Sequence, residues 1–390
     1  MKNLQVQDKD QPGIWYRVSQ LKIKLRQLNI EADIFANGRN RVIVDVYIQC
    51  ADSYNNKVVV PSDILLQHTW LIDYDTGEKL TWRAKEDDNF TWAYTDEPNE
   101  FTATPVTLKT PSFTNYEEHH DGPILSRVTF YIYCSPIAVN QIKQVAALVV
   151  TPGNTVHSSA YGKEFDACIQ LNSKAEIYYR SANLDIESEL VTKREANEGN
   201  DWFGWTQYNK YVRLNPSDHY GRRKVAKLVV EDPTKFGKEW GGAGFLGIDH
   251  GYGHQIYCAD ENGVCNRYLY TYSSTTYYVH YLWTLEGPRK AILDRYSWSI
   301  SGGVGPDVNC LMIDRTINID VRQRPDALCF TIMAVVIRPQ KTMTHNEWAK
   351  NFYITIYDQY GNAGTFLIDP IHGISIEEKT NIHLEDANQF

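Results

Sequence analysis

The sequence predicts an all-β chain of two or more antiparallel sandwich-like units, immunoglobulin-like or jelly-roll-like, with an aromatic-rich middle segment and little helix. Composition is the first ground. The chain has 26 Tyr, 13 Phe and 10 Trp against 4 Met, and aromatic and β-branched residues suit pleated, half-buried surfaces. The second is short runs that alternate apolar and polar residues. The third is the Asn, Asp and Gly turn signals between those runs.

Each element follows in order. Leu21–Arg26 alternates apolar and basic residues and reads as a half-buried strand. Asn37-Gly38 is a hairpin signal between two alternating runs within residues 30–50. Asp75-Thr76-Gly77 marks a turn between two further strands. Residues 83–123 are polar and turn-rich, giving loops and short edge strands with a boundary near Glu118–Pro123. Arg127–Cys134 then echoes Arg41–Cys50: each opens Arg-Val and closes Tyr-Ile, one residue, Cys. Ala327–Ile337 has the same strand character, and a hairpin with its turn at Gln359–Gly364 follows, echoing the Leu71–Leu80 hairpin. These echoes suggest two or three related units.

Helical signals are few. Val139–Val150 fits a helix or a buried strand, and its β-branched end favours strand. Residues 182–199 have a polar helical character near Glu187–Asn197, stopped by Gly199. His345–Ile354 adds at most one turn. The expected units are 1–120, 121–200, an aromatic and Gly-rich unit or insertion at 201–309, and 310–390.

A length of 390 residues admits about two to four units. The net charge of −9 argues against a general nucleic-acid binder and against simple attraction to anionic lipid. No run is long and apolar enough for a membrane-spanning helix. The N-terminal MKNLQVQDKDQPGIW lacks an apolar h-region. Synthesis in the cytosol without a usual signal peptide is therefore expected, with any release by lysis or a dedicated route. Cys50, Cys134, Cys310 and Cys329 sit in apolar runs and read as reduced core thiols. Cys258 and Cys265 flank a turn-like ADENGV and are the one pair placed for a disulfide.

Motifs with chemistry are scarce. The Gly-rich stretch 239–257 lacks the Gly-Lys-Ser/Thr of a phosphate loop and the βαβ context of a dinucleotide site. Asp249, His250 and His254 are the best metal-like group. Gly251 and Gly253 argue against the helix that would align those histidines, so a turn with hydrogen-bonded imidazoles competes and is simpler. His119-His120-Asp121 reads as a solvated loop. No Gly-x-Ser-x-Gly elbow occurs, and no local signature marks a Cys–His pair. No cofactor is expected.

The aromatics are the stronger signal. Trp202, Phe203, Trp205, Tyr208 and Tyr211 fall within ten residues, beside Asp201, Asn209 and Lys210. Such groups suit a sugar face or a protein interface, and also the edge of a core. Residues 266–283 hold a second cluster. If they form one regular strand, Tyr268, Tyr270, Tyr272, Tyr278 and His280 share one face, while Tyr277, Tyr281 and Trp283 lie on the other. An ordinary antiparallel hairpin is favoured there. An outward aromatic face, or a pore-forming hairpin completed by residues 291–303, are the rivals.

The functional expectation is a non-enzymatic binding or assembly protein, such as a bacterial host-interaction or toxin component or a virion-like structural protein. Its partners would be protein subunits, a host receptor or surface glycans, with homo-oligomers in view and no nucleic acid. Its candidate contact residues are Trp202, Phe203, Trp205, Tyr208, Tyr211, Tyr270, Tyr272 and Tyr278. The alternatives are a carbohydrate-active enzyme with a sandwich catalytic domain and a β-pore-forming toxin, in which a membrane would be the partner.

Overall fold

In the computed structural model the chain is nearly all β, in several mainly antiparallel sheets. The structure describes residues 15–26, 30–85, 88–102, 125–194, 203–215, 223–230, 251–259, 275–285, 290–293, 317–337, 352–369 and 380–387. The chain divides into two units, Met1–Glu176 with Tyr360–Asn362, and Ile177–Gln359 with Ala363–Phe390.

The first unit contains β1 (Arg17–Leu25), β2 (Glu31–Phe35), β3 (Val42–Ala51), β4 (Lys57–Val58), a one-turn helix α1 (Ser62–Gln67), β5 (Thr69–Asp73), β6 (Thr81–Trp82), β7 (Trp92–Thr95), β8 (Ser126–Cys134), β9 (Ile142–Val150), β10 (Val156–Ser158) and β11 (Ile169–Lys174). One sheet runs β1-β3-β8-β7-β6, with β4 on β3; the other runs β10-β9-β11-β2, with β5 on β9. Alternate residues of both sheets meet in one core. Leu21, Ile23, Val44, Val46, Phe130 and Ile132 from the first sheet join Ile34, Leu71, Val145, Ala147, Val149 and Leu171 from the second. Period-2 patterning is what lets each strand supply one apolar face.

Two sequence expectations change here. Asn37-Gly38 does not close a hairpin, because β2 pairs with β11 and β3 pairs with β1 and β8. The turn instead carries the chain from one sheet to the other. Asn37 Oδ1 accepts from the amides of Arg39 and Asn40, and Asn40 Oδ1 accepts from Phe35 N–H. Gly38 takes φ +73° there, and its N–H donates to Cys134 O at 2.9 Å, a conformation that suits glycine. The second change concerns the boundary near residue 120. Residues 121–176 complete the first unit, since β8 pairs with β3 from Val42↔Ile132 to Ile48↔Ser126. The Arg41–Cys50 and Arg127–Cys134 echo is thus two neighbouring strands of one sheet. They are alike because they meet similar surroundings.

The second unit contains β12 (Leu184–Arg194), β13 (Phe203–Leu214), β14 (Val225–Val230), β15 (Gly251–Ala259), β16 (Thr275–Trp283), β17 (Lys290–Leu293), β18 (Ile317–Asp320), β19 (Leu328–Ile337), β20 (Phe352–Asp358), β21 (Ala363–Asp369) and β22 (His383–Asp386). A five-stranded sheet runs β12-β13-β19-β16-β15, a four-stranded sheet runs β14-β20-β21-β22, and β17 pairs β18. Val212, Leu214, Leu282, Phe330 and Ile332 pack against Ile354, Ile356, Phe366 and Ile368 in this unit's core.

The polar 182–199 segment is strand rather than helix from Leu184 to Arg194, because β12 pairs with β13 along its length. Tertiary pairing outweighs the helical propensity of its glutamates. Val139–Val150 supplies β9, as its β-branched end indicated, and β20–β21 form the hairpin expected around Gln359–Gly364. Within the tyrosine segment, residues 275–283 form β16, between β15 and β19. Of the segment expected to complete a pore hairpin, residues 291–293 lie in the strand that pairs with β18, and 294–303 lie outside the described residues. Cys50, Cys134 and Cys329 are buried free thiols; Cys265 and Cys310 lie outside the described residues, as does the side chain of Cys258.

Candidate functional site

The aromatic segment singled out from sequence forms β13. Its residues alternate between two faces. Val212 and Leu214 enter the core, while Gln207, Asn209, Tyr211 and Arg213 lie on the opposite face. That opposite face is covered. Residues 320–322 run across it, and Gln207 Nε2 and Asn209 Nδ2 donate to Asp320 O at 2.7 and 3.0 Å. Asn209 Nδ2 also donates to Val321 O at 2.8 Å, and Thr331 Oγ1 donates to Asn209 Oδ1 at 2.8 Å. Trp283 Nε1 donates to Thr331 Oγ1 at 2.8 Å. These buried amides act as a side-chain ladder that satisfies the main-chain carbonyls of Asp320 and Val321.

Tyr211 is fully buried beneath this covering, so its ring offers no face to a ligand. The Arg324 guanidinium carbon sits 3.8 Å from the ring centroid. The Tyr211 hydroxyl lies 3.0 Å from Glu189 Oε2 and 2.9 Å from Arg322 O. Burial, opposed by the hydrogen bond from Asn209, pushes the phenol up to about 12. Trp205 is half-buried with Arg194 5.0 Å from its ring, and half-buried Tyr208 has Lys210 at 5.7 Å. Burial depresses the Lys210 ammonium. Phe203 opens β13, and Trp202 lies outside the described residues.

The remaining candidates are placed by backbone alone or not at all. Tyr278 is opposite Tyr257 and Ala334, and His254 is opposite His280. Tyr270, Tyr272, Asp249 and His250 lie outside the described residues. Among the described residues no cluster of three His, Cys, Asp or Glu is placed to hold a metal.

Around Tyr211 stands a charged cluster that sequence reading missed. Glu187 Oε2 accepts from Arg213 at 2.8 Å and from Arg324 at 2.7 Å. Glu189 accepts from Arg322 and Arg324, Arg322 also holds Asp320, and Arg213 also holds Asp326. Arg324, then Arg213, hold Glu187 below the usual carboxylate range; Arg322 does the same for Glu189 against the opposing effect of burial. A general acid needs the reverse, a carboxyl kept protonated near neutrality. The pair therefore supplies ionised clasps for the 320–326 segment. The only sequence trace was Glu at positions 187 and 189 with Arg at 322 and 324, a signal without a known partner.

In the first unit, a separate exposed aromatic corner lies on the outer face of the second sheet. Trp70, Ile72 and Tyr74 share one side of the β5 segment, opposite the core residue Leu71. Ile72 is buried against Ala146 and Ala160. The chain after β10 returns here: Tyr161 N–H donates to Tyr74 O at 2.9 Å, and Gly162 turns with φ +64°. Tyr161 is 69% exposed, and its ring stands 75° to that of Tyr74 at a 6.0 Å centroid distance. Tyr74 OH donates to Asp166 Oδ1 at 2.6 Å, which pushes the phenol up to about 12. Lys79 Nζ lies 3.9 Å from the Trp70 ring centroid, a cation–π contact. The sequence marked the turn at Asp75-Thr76-Gly77 that ends this strand; the arrival of Tyr161 and Asp166 beside it depends on the fold.

No family model matches the chain. No curated protein matches it. Among solved structures, the chain is similar to the C-terminal domain of the Streptococcus agalactiae AgI/II polypeptide BspA, at 8% identity over 88% of this chain and 97% of that one, with a TM-score of 0.20. A second BspA C-terminal structure gives 8% identity, 89% and 97% coverage, and a TM-score of 0.19. Likeness of this size transfers neither fold nor function.

Proposed function

We propose that this chain is a non-enzymatic binding protein that meets its partner through aromatic side chains presented on a sheet face. The observation that carries this reading is the corner formed by Tyr161, Tyr74, Trp70 and Asp166. The exposed Tyr161 ring, buttressed edge-to-face by Tyr74, offers one flat apolar face, and a carboxylate within one hydrogen bond of that corner accepts from hydroxyls. A glycan matches both features, since its C–H faces stack on rings and its hydroxyls need acceptors. The charged cluster around Tyr211 argues in the same direction, because its carboxylates are already engaged and ionised.

A glycan array on the intact chain, followed by titration calorimetry of any hit, tests the reading. Tyr161→Ala should weaken binding at least about tenfold, the scale of losing one well-placed aromatic contact, with the circular dichroism unchanged. A hit that Tyr161→Ala and Asp166→Asn both leave intact places the ligand elsewhere. An array without hits sinks the glycan assignment.

A further inference from the structure

We propose that two copies of this chain join by pairing β12 with β12 of the second copy, antiparallel about Ser188, so that the five-stranded sheet continues across a twofold axis. This goes beyond the ligand-binding reading and does not depend on the aromatic corner.

β12 is the outermost strand of its sheet, and among the described residues no strand lies on its other side. Its outward main-chain groups can be assigned. Asn215 N–H donates to Asn183 O at 2.8 Å, which makes that the hydrogen-bonded pair preceding Leu184↔Leu214. Antiparallel pairs alternate, so Asp185, Glu187 and Glu189 bond inward to β13. Ile186, Ser188 and Leu190 therefore direct their N–H and C=O groups away from the sheet. The ladder is regular up to Leu190, where a register shift before Thr192 ends the flat run.

The side chains of those three residues match a second copy. Ile186 and Leu190 are 40% and 54% exposed, unusual for aliphatics on the core-side face of a strand. Centring on Ser188 sets Ile186 opposite Leu190 of the partner subunit and the reverse, burying both pairs. It also makes Ser188 its own counterpart. Three pairs exchanging two bonds each give roughly six main-chain hydrogen bonds. Centring on Glu187 instead sets the exposed Ile186 opposite Ser188 and sets Leu190 opposite Leu184, which already packs on the core of its own unit.

The opposite face explains why two acidic strands tolerate one another. Ser188 centring brings Glu187 opposite Glu189 of the partner subunit, and like charges directly opposed destabilise a sheet. Here Arg213, Arg322 and Arg324 already neutralise both glutamates within each copy. The edge strand β1 of the first unit is different: its exposed positions include Arg17, Lys22 and Lys24, the usual charged guard of a free edge. On the regular part of β12 the two glutamates are held within the copy, and the cationic Lys193 and Arg194 lie beyond the register shift that ends it.

Sedimentation velocity of the full chain over a range of concentrations tests the proposal. A dimer is expected. Ser188→Pro should weaken it at least about tenfold, because the lost N–H points outward and proline is tolerated on that side of an edge strand. Leu190→Lys should do the same by placing a charge in the paired core. Tyr161→Ala should leave the dimer intact, which separates this proposal from the ligand-binding one. A chain that stays monomeric at every concentration overturns it, as does a dimer that Leu190→Lys leaves unchanged. If Ser188→Pro loses its β circular dichroism, Leu190→Lys decides alone.

Discussion

Replacing Asp45 by Asn should destabilise the first unit at neutral pH, and the penalty should fade in acid. Asp45 lies on β3, with a side chain only 2% exposed. Its Oδ1 accepts from Thr129 Oγ1 at 2.6 Å and from Arg26 Nη2 at 2.8 Å, and its Oδ2 accepts from Arg26 Nε at 3.1 Å. Burial works against the charge, but the hydrogen bonds from Arg26 and Thr129 outweigh it and hold the carboxyl below its ordinary value. Hydrogen bonds to a charged group are each worth about 1.5–3 kcal/mol before desolvation is set against them. Arg26 is 41% exposed, so solvent screens its share. The net loss for Asp45→Asn at pH 7 should be about 2 kcal/mol.

The direction with pH follows from linkage. The folded carboxyl has a lower pKa than the unfolded one, near 3.9 in a free chain. Its stabilisation is complete above about pH 5 and is lost as pH falls through the unfolded value toward the folded one. Guanidinium titrations of both proteins between pH 7 and pH 2 measure the gap. Equal stability at pH 7, or a gap that stays constant down to pH 2, would refute the assignment of an ionised, guanidinium-held Asp45.

Two more perturbations probe the second unit. In Gly364→Ala the new Cβ would stand 2.6 Å from Tyr179 O and 2.8 Å from Phe366 Cζ, so the β21 backbone must shift; a loss of about 3 kcal/mol is expected, the upper range for overpacking, read by denaturant titration. Tyr179→Phe removes the 2.7 Å hydrogen bond from its hydroxyl to Asp358 Oδ2, in a site where Arg223 Nε lies 3.5 Å from the same oxygen and both charges are buried. It should cost about 1–3 kcal/mol, since the carboxylate loses a donor it cannot replace with water; a melting temperature equal to that of the wild-type chain would contradict this.

The strand content could be read from the chain, because period-2 alternation and turn residues are local properties. Leu21–Leu25 in β1, the β-branched Val145–Val150 in β9, and the hairpin around Gly361 are each declared by their own neighbours. Burial of Cys50, Cys134 and Cys329 followed from the apolar runs that hold them. What local pattern cannot declare is which strand lies beside which. Asn37-Gly38 carries a hairpin signal, yet β2 and β3 enter different sheets because their partners, β11 and β8, come from distant parts of the chain. Tyr211 carried the same aromatic signal as an exposed contact residue, and only the return of residues 320–324 buried it. Likewise Tyr161 and Asp166 reach Tyr74 only through the fold of the second sheet. Alternation tells each strand that it has two faces; long-range pairing decides which face is covered, which edge is left open, and so where this protein can meet anything else.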